Sequence, residues 1–127
     1  MATVLLVDDQ AEDRRPMAKL LRDRGYNVVT AVNAYEAMGA YKKEHPDLIL
    51  LDVGIPPMDG LTFLMLLRQE TAGMEVPVIV VTGRNDENTL SRAKDLKVRE
   101  LLVKSEFEPQ QLLDLVDQHV RKPAAQG

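Results

Sequence analysis

Three aspartates, a threonine and a lysine fall where short apolar runs end. Asp8 and Asp9 follow Thr3–Val7, Asp52 follows Leu48–Leu51, Thr82 follows residues 78–81, and Lys104 follows residues 101–103. Carboxylates gathered in one place repel one another and raise each other's pKa values. A hard divalent cation removes that conflict. Mg²⁺ (or Mn²⁺) suits it, because Mg²⁺ takes oxygen ligands, keeps several waters and commonly binds one or two carboxylates together with a phosphate. A carboxylate is also a nucleophile that can carry a phosphoryl group as an aspartyl phosphate. Phosphoryl transfer asks mainly for positioning and charge neutralisation. A cation on one side and the Lys104 ammonium on the other would supply the neutralisation. The Thr82 hydroxyl can bond a phosphoryl oxygen, and Gly83 beside it leaves room for one.

Such a set works only if the chain brings these run ends together. Five apolar runs, at Thr3–Val7, 27–32, Leu48–Leu51, 78–81 and 101–103, read as strands. The first, third and fourth are rich in Val, Ile and Leu with almost no polar alternation, the pattern of strands buried on both faces of a parallel sheet. Helical spacing fills the intervals. The first helix is expected over about 10–24, with Gly25 at its C-terminus and Pro16 forcing a late start or a bend. The second follows the N-cap Asn33 and ends before Pro46. The third starts near Asp59-Gly60 and carries Leu61, Leu64, Met65 and Leu67, with Gly73 beyond its end. The fourth, about 86–96, is mostly polar with a thin stripe of Leu90, Ala93 and Leu96. Pro109 suits the first position of the fifth, whose apolar face is Leu112, Leu113, Val116 and Val120. Five βα units imply a parallel sheet with right-handed crossovers and helices on both faces. Ligands of such sheets bind at the carboxyl ends of the strands, where the polar residues fall.

The chain's 127 residues make one domain, expected over 1–120 with a tail or linker at 121–127. Apolar residues at 45% and charged residues at 28% give a globular profile. There is no cysteine, which excludes disulfides and thiolate metal sites. A net charge of −4 gives no basic footprint for nucleic acid. The opening residues lack the basic flank of a signal peptide, and no run approaches the roughly 20 apolar residues of a membrane span. A soluble, cytoplasmic protein that binds neither nucleic acid nor membrane is expected.

Four segments, VLLVDDQ, DLILLDVGIPPMDG, VPVIVVTG and LLVK, together resemble the receiver domain of two-component response regulators over essentially the whole chain. The resemblance implies a doubly wound, flavodoxin-like (βα)5 fold with sheet order 2-1-3-4-5. It implies that Asp52 is the phosphoacceptor and that Asp9 and Asp52 hold Mg²⁺. Asp8 would support the metal through water, and the Gly54 backbone carbonyl would complete the protein ligands. Thr82 and Lys104 take switch and phosphate-pairing roles, while Gly54 and Arg84 occupy positions that tune phosphoryl lifetime. The implied donor is a sensor histidine kinase or a phosphotransfer protein. The implied output is a partner or a dimer through the face of helix 4, strand 5 and helix 5. Catalysis would extend only to the domain's own aspartyl phosphorylation and dephosphorylation.

Two positions depart from the family pattern. Ser105 follows Lys104 where receivers usually have proline, and Leu101 stands where they usually have an aromatic ring that moves inward on activation. These departures favour a second reading, an interaction module that is never phosphorylated. A phosphatase of the haloacid-dehalogenase type would need a second aspartate two residues after Asp52, where Gly54 stands. A nucleotide-binding protein would need a glycine-rich loop after the first strand. Taken singly, Asp8 or Asp9 reads as a helix cap, Asp52 as a turn residue, Thr82 as a cap and Lys104 as a surface lysine. Four strand ends carrying such groups together favour the functional site. Asp59-Gly60 reads as a helix N-cap and turn, and His45 and His119 as helix-end residues compatible with the dipole.

Overall fold

A computed structural model of the chain describes residues 2–55, 59–70, 76–83 and 87–120. Within them, strands and helices alternate: β1 (Thr3–Val7), α1 (Ala11–Asp23), β2 (Asn27–Ala31), α2 (Ala34–Glu44), β3 (Leu48–Leu51), α3 (Gly60–Gln69), β4 (Val78–Thr82), α4 (Glu87–Asp95), β5 (Glu100–Val103) and α5 (Pro109–His119). The strands form one sheet in the order β2-β1-β3-β4-β5, and every neighbouring pair is parallel. This is the flavodoxin-like fold that the family resemblance implied. Among the described residues no helix is long and apolar enough to cross a membrane.

The continuous apolar runs arise because each strand feeds two cores. Successive side chains of a strand point to opposite faces. Leu5, Val7, Ile49, Leu51, Val78 and Val80 pack on the face covered by α2, α3 and α4. Val4, Leu6, Leu48, Leu50, Ile79 and Val81 pack on the face covered by α1 and α5. The central strands β3 and β4 are therefore buried throughout, whereas the edge strands β2 and β5 are buried only in part.

Local signals set the helix ends. Asn33 Oδ1 accepts from the Glu36 amide at 2.8 Å, and Asp59 Oδ1 accepts from the Thr62 amide at 2.8 Å. Pro109 occupies the first turn of α5. Gly25, at φ +108°, takes the left-handed turn after α1 that other residues adopt with strain.

Two local expectations are corrected, in α3 and α4, and one is narrowed, in α1. Helix α1 does not start late: residues 11–15 are already helical ahead of Pro16, and the Asp13 and Arg14 amides bond the Gln10 carbonyl. Pro16 sits on the exposed side, where water can satisfy the carbonyl that its missing N–H leaves. In α3, Met65 is exposed and Phe63 takes the core position. In α4 the buried pair is Thr89 and Ala93, one helical turn apart, while Leu90 is 43% exposed and Leu96 packs only at the margin. The expected positions Asp86 and Gly73 and the tail 121–127 lie outside the described residues.

Candidate functional site

Strand pairing assembles the polar residues at one edge of the sheet. Val7 is paired with Leu51, so the next residues, Asp8 and Asp52, emerge side by side at the carboxyl ends of β1 and β3. Each continues the ladder by one rung: the Asp8 amide bonds the Ala31 carbonyl at 3.0 Å, and the Asp52 amide bonds the Val7 carbonyl at 2.9 Å. On the other side, the Lys104 amide bonds the Thr82 carbonyl at 2.8 Å. Sheet hydrogen bonds thus fix the backbones from which these side chains project.

The two inner carboxylates are oriented alike. Asp8 Oδ1 accepts from the Gln10 amide at 2.9 Å, and Asp52 Oδ1 accepts from the Gly54 amide at 2.9 Å. Both are bonds to the amide two residues on, a turn that aspartate favours. In each case Oδ2 is turned to Lys104, whose Nζ lies 2.9 Å from Asp8 and 3.1 Å from Asp52. Asp9 completes the cluster, with one ligand oxygen from each of Asp8, Asp9 and Asp52 within 4.8 Å of the others. That spacing fits a hard cation with oxygen ligands.

Burial makes the cluster electrostatically demanding. Asp8 is 1% exposed and Asp52 is 7% exposed. Burial drives the Asp8 carboxyl above the ordinary carboxylate range; the Gln10 amide and Lys104 pull it back, and the charge on Asp52 pushes it up. Burial acts to lower the Lys104 pKa, but its hydrogen bonds to Asp13, Asp8 and Asp52 outweigh that and raise it, so the ammonium stays charged. Buried carboxylates with one cation among them provide both a place for a metal and a nucleophile beside it.

The remaining sequence candidates fall around this cluster. Thr82 is buried at the end of β4. A Cβ added at Gly83 would meet nothing within 4 Å, so this position is open. Gly54 meets Asp52 through its amide. Arg84 lies outside the described residues.

Two residues escaped the sequence reading. Asp13, in the first turn of α1, places Oδ2 at 2.9 Å from Lys104 Nζ. Its only sequence signal is an acidic residue at a helix start, which the macrodipole explains without any site. The sequence marks Gly60 only as a turn residue, but a Cβ there would lie 2.5 Å from the Asp52 carbonyl oxygen and 2.8 Å from Val53 Cα. Its amide bonds the Val53 carbonyl at 2.8 Å, so glycine lets α3 close directly onto the backbone that carries Asp52.

Comparison with known proteins agrees with this geometry. Residues 4–117 match the response regulator receiver domain, and the chain belongs to that family. It is 34% identical over 109 residues to the probable transcriptional regulator ycf27 of Porphyridium aerugineum, an alignment covering 86% of this chain and 44% of that protein. It is 29% identical over 119 residues to the phosphate regulon transcriptional regulatory protein PhoB of Klebsiella pneumoniae, covering 94% of this chain and 52% of that protein. The chain therefore spans about half the length of these curated relatives. Among solved structures, the chemotaxis protein CheY4 of Vibrio cholerae superposes with a TM-score of 0.87 at 31% identity, covering 94% of this chain and 99% of that one.

Proposed function

We propose that this receiver domain accepts a phosphoryl group on Asp52 in a Mg²⁺-dependent reaction and thereby switches a partner-binding surface. The observation that carries this reading is the convergence of Asp8, Asp9 and Asp52 within 4.8 Å, with Lys104 Nζ held between Asp8 and Asp52. Asp9 and Asp52, with the Gly54 carbonyl, would hold Mg²⁺ or Mn²⁺, and Asp8 would act through water. The bound cation would supply charge neutralisation for the phosphoryl oxygens.

The chain's own residues do the rest. An Asp52 carboxylate oxygen forms a bond to phosphorus as the bond from phosphorus to the donor nitrogen breaks. The nitrogen keeps the electron pair and takes up a proton. Lys104 neutralises a phosphoryl oxygen opposite the carboxylate pair, and the Thr82 hydroxyl bonds another, with Gly83 leaving the approach open. Arg84 is assigned to the lifetime of the product. The donor would be a sensor histidine kinase or a phosphotransfer protein, in the cytoplasm, and the domain acts on no outside substrate.

The output surface on this reading is the α4–β5–α5 face. A groove of about 540 Å³ lies there, lined by residues that include Leu90, Lys94, Val98 and Leu101. Leu101 is half-buried and packs on the core, so a partner would read a shift of α4 driven by Thr82 rather than the swing of an aromatic ring.

The test is intact mass after incubation with Mg²⁺ and acetyl phosphate, for the parent and for Asp52→Asn. The expected result is one added phosphoryl group in the parent and none in the variant. A folded parent that gains no mass, from acetyl phosphate or from a histidine kinase, would replace this reading with the unphosphorylated interaction module that Leu101 and Ser105 favour.

A further inference from the structure

Lys104 carries three N–H donors, and three carboxylates take them: Asp8 at 2.9 Å, Asp13 at 2.9 Å and Asp52 at 3.1 Å. A phosphoryl group arriving on Asp52 takes over that residue's own bond to the ammonium and carries more negative charge than the carboxylate it replaces, so it competes with Asp8 and Asp13 for the remaining donors. The three partners differ in how easily they yield. Asp8 and Asp52 sit at strand ends, nearly fully buried, with their other oxygens bonded to backbone amides. Both also belong to the cluster that a cation would neutralise. Asp13 stands on α1 outside that cluster, and its side chain is 36% exposed. It can turn to water at little desolvation cost, whereas Asp8 cannot.

Resting on the phosphoacceptor reading above, we propose that Asp13 is a positioning residue that competes with the phosphoryl group for Lys104. In the unphosphorylated domain it anchors the ammonium from α1, across a loop where Ser105 follows Lys104. On phosphorylation it is the partner Lys104 leaves. Its negative charge therefore opposes the phosphorylated state and keeps the resting state favoured. Glu12 is its neighbour in the same turn and carries the same charge, yet Lys104 takes its three bonds elsewhere.

The experiment is binding of beryllofluoride, a stable phosphoryl mimic, to the full chain at saturating Mg²⁺, followed by calorimetry or by amide NMR shifts. Asp13→Asn is expected to tighten binding about fivefold, the scale of a partly exposed ion pair. Asp13→Ser should give the same gain, Asp13→Glu should restore parental affinity, and Glu12→Gln should change it less than about twofold. Unchanged or weaker binding by both folded Asp13→Asn and Asp13→Ser overturns the proposal. Equal gains from Glu12→Gln and Asp13→Asn also overturn it, because bulk charge would then account for the effect. If the parent binds no beryllofluoride and takes up no phosphoryl group, the phosphoacceptor reading fails and this one with it. A parent that binds, beside an inert Asp13→Asn, removes this proposal alone.

Discussion

Helices α3 and α4 each follow a strand that delivers a site residue, yet they hold the sheet in different ways. α3 buries Gly60, Leu61, Phe63, Leu64 and Leu67, and its first residue rests on the Asp52 carbonyl. α4 buries only Thr89 and Ala93 and leaves Leu90 in solvent. The acidic half of the site is therefore clamped by deep apolar packing and a contact that only glycine permits. The Thr82 half is covered by a short, largely polar helix with little core to anchor it. Segments with few buried apolar contacts open at the lowest free-energy cost. This asymmetry fits the proposed phosphoacceptor role, in which Asp52 would stay fixed while the far flank responds.

The largest test of the contrast is truncation on the two helices. Leu64→Ala should cost about 3 kcal/mol in urea unfolding, because Leu64 is fully buried. Leu90→Ala, on the exposed side of α4, should stay within about 0.5 kcal/mol. Comparable losses from the two would erase the difference between the helices.

Gly60→Ala comes next. Its Cβ would meet backbone rather than a flexible side chain, so α3 must shift, at about 2 kcal/mol. Because the displaced backbone carries Asp52, phosphoryl uptake should slow as well. A variant with parental stability and uptake would mean that α3 is not clamped to the site.

The smallest effect concerns Asp59, which caps α3 and pairs with Arg92 of α4 at 3.5 Å. Burial pushes its carboxyl up, but the Thr62 amide and Arg92 outweigh that and hold it below the ordinary value of 3.8. A depressed folded pKa contributes stability above the unfolded value, and that contribution is lost as pH falls through the folded one. Asp59→Asn keeps a capping oxygen and removes the charge. It should flatten the stability curve below pH 3.8 while changing stability little at neutral pH. An unaltered acid limb would show that the ion pair between Asp59 and Arg92 contributes nothing.

Much of this was legible in the residues themselves. β1 and β3 match the apolar runs to the residue, and Asn33, Asp59 and Pro109 mark helix starts where they were expected, because caps and strand burial are encoded within a few positions. The placement of Asp8, Asp52 and Lys104 just past strand ends, and of Thr82 as the last residue of β4, was equally plain. Strand order was not: alternation of β and α leaves it open, and it was the family resemblance that implied β1 beside β3. The inward face of α4 was legible only in part: Ala93 and Leu96 do pack inward, but Thr89 rather than Leu90 completes the face, since a nine-residue helix with few apolar residues gives a weak periodic signal.

The sequence by itself therefore determined the elements, their ends and the residue types at the site edge. Only the tertiary structure decided that Asp13, 91 residues before Lys104, would share its ammonium, and that Gly60 would lie against the Asp52 carbonyl. Capping and burial patterns are local and leave their mark in neighbouring residues. Contacts between distant segments depend on how helices pack on a twisted sheet, and no nearby residue records that.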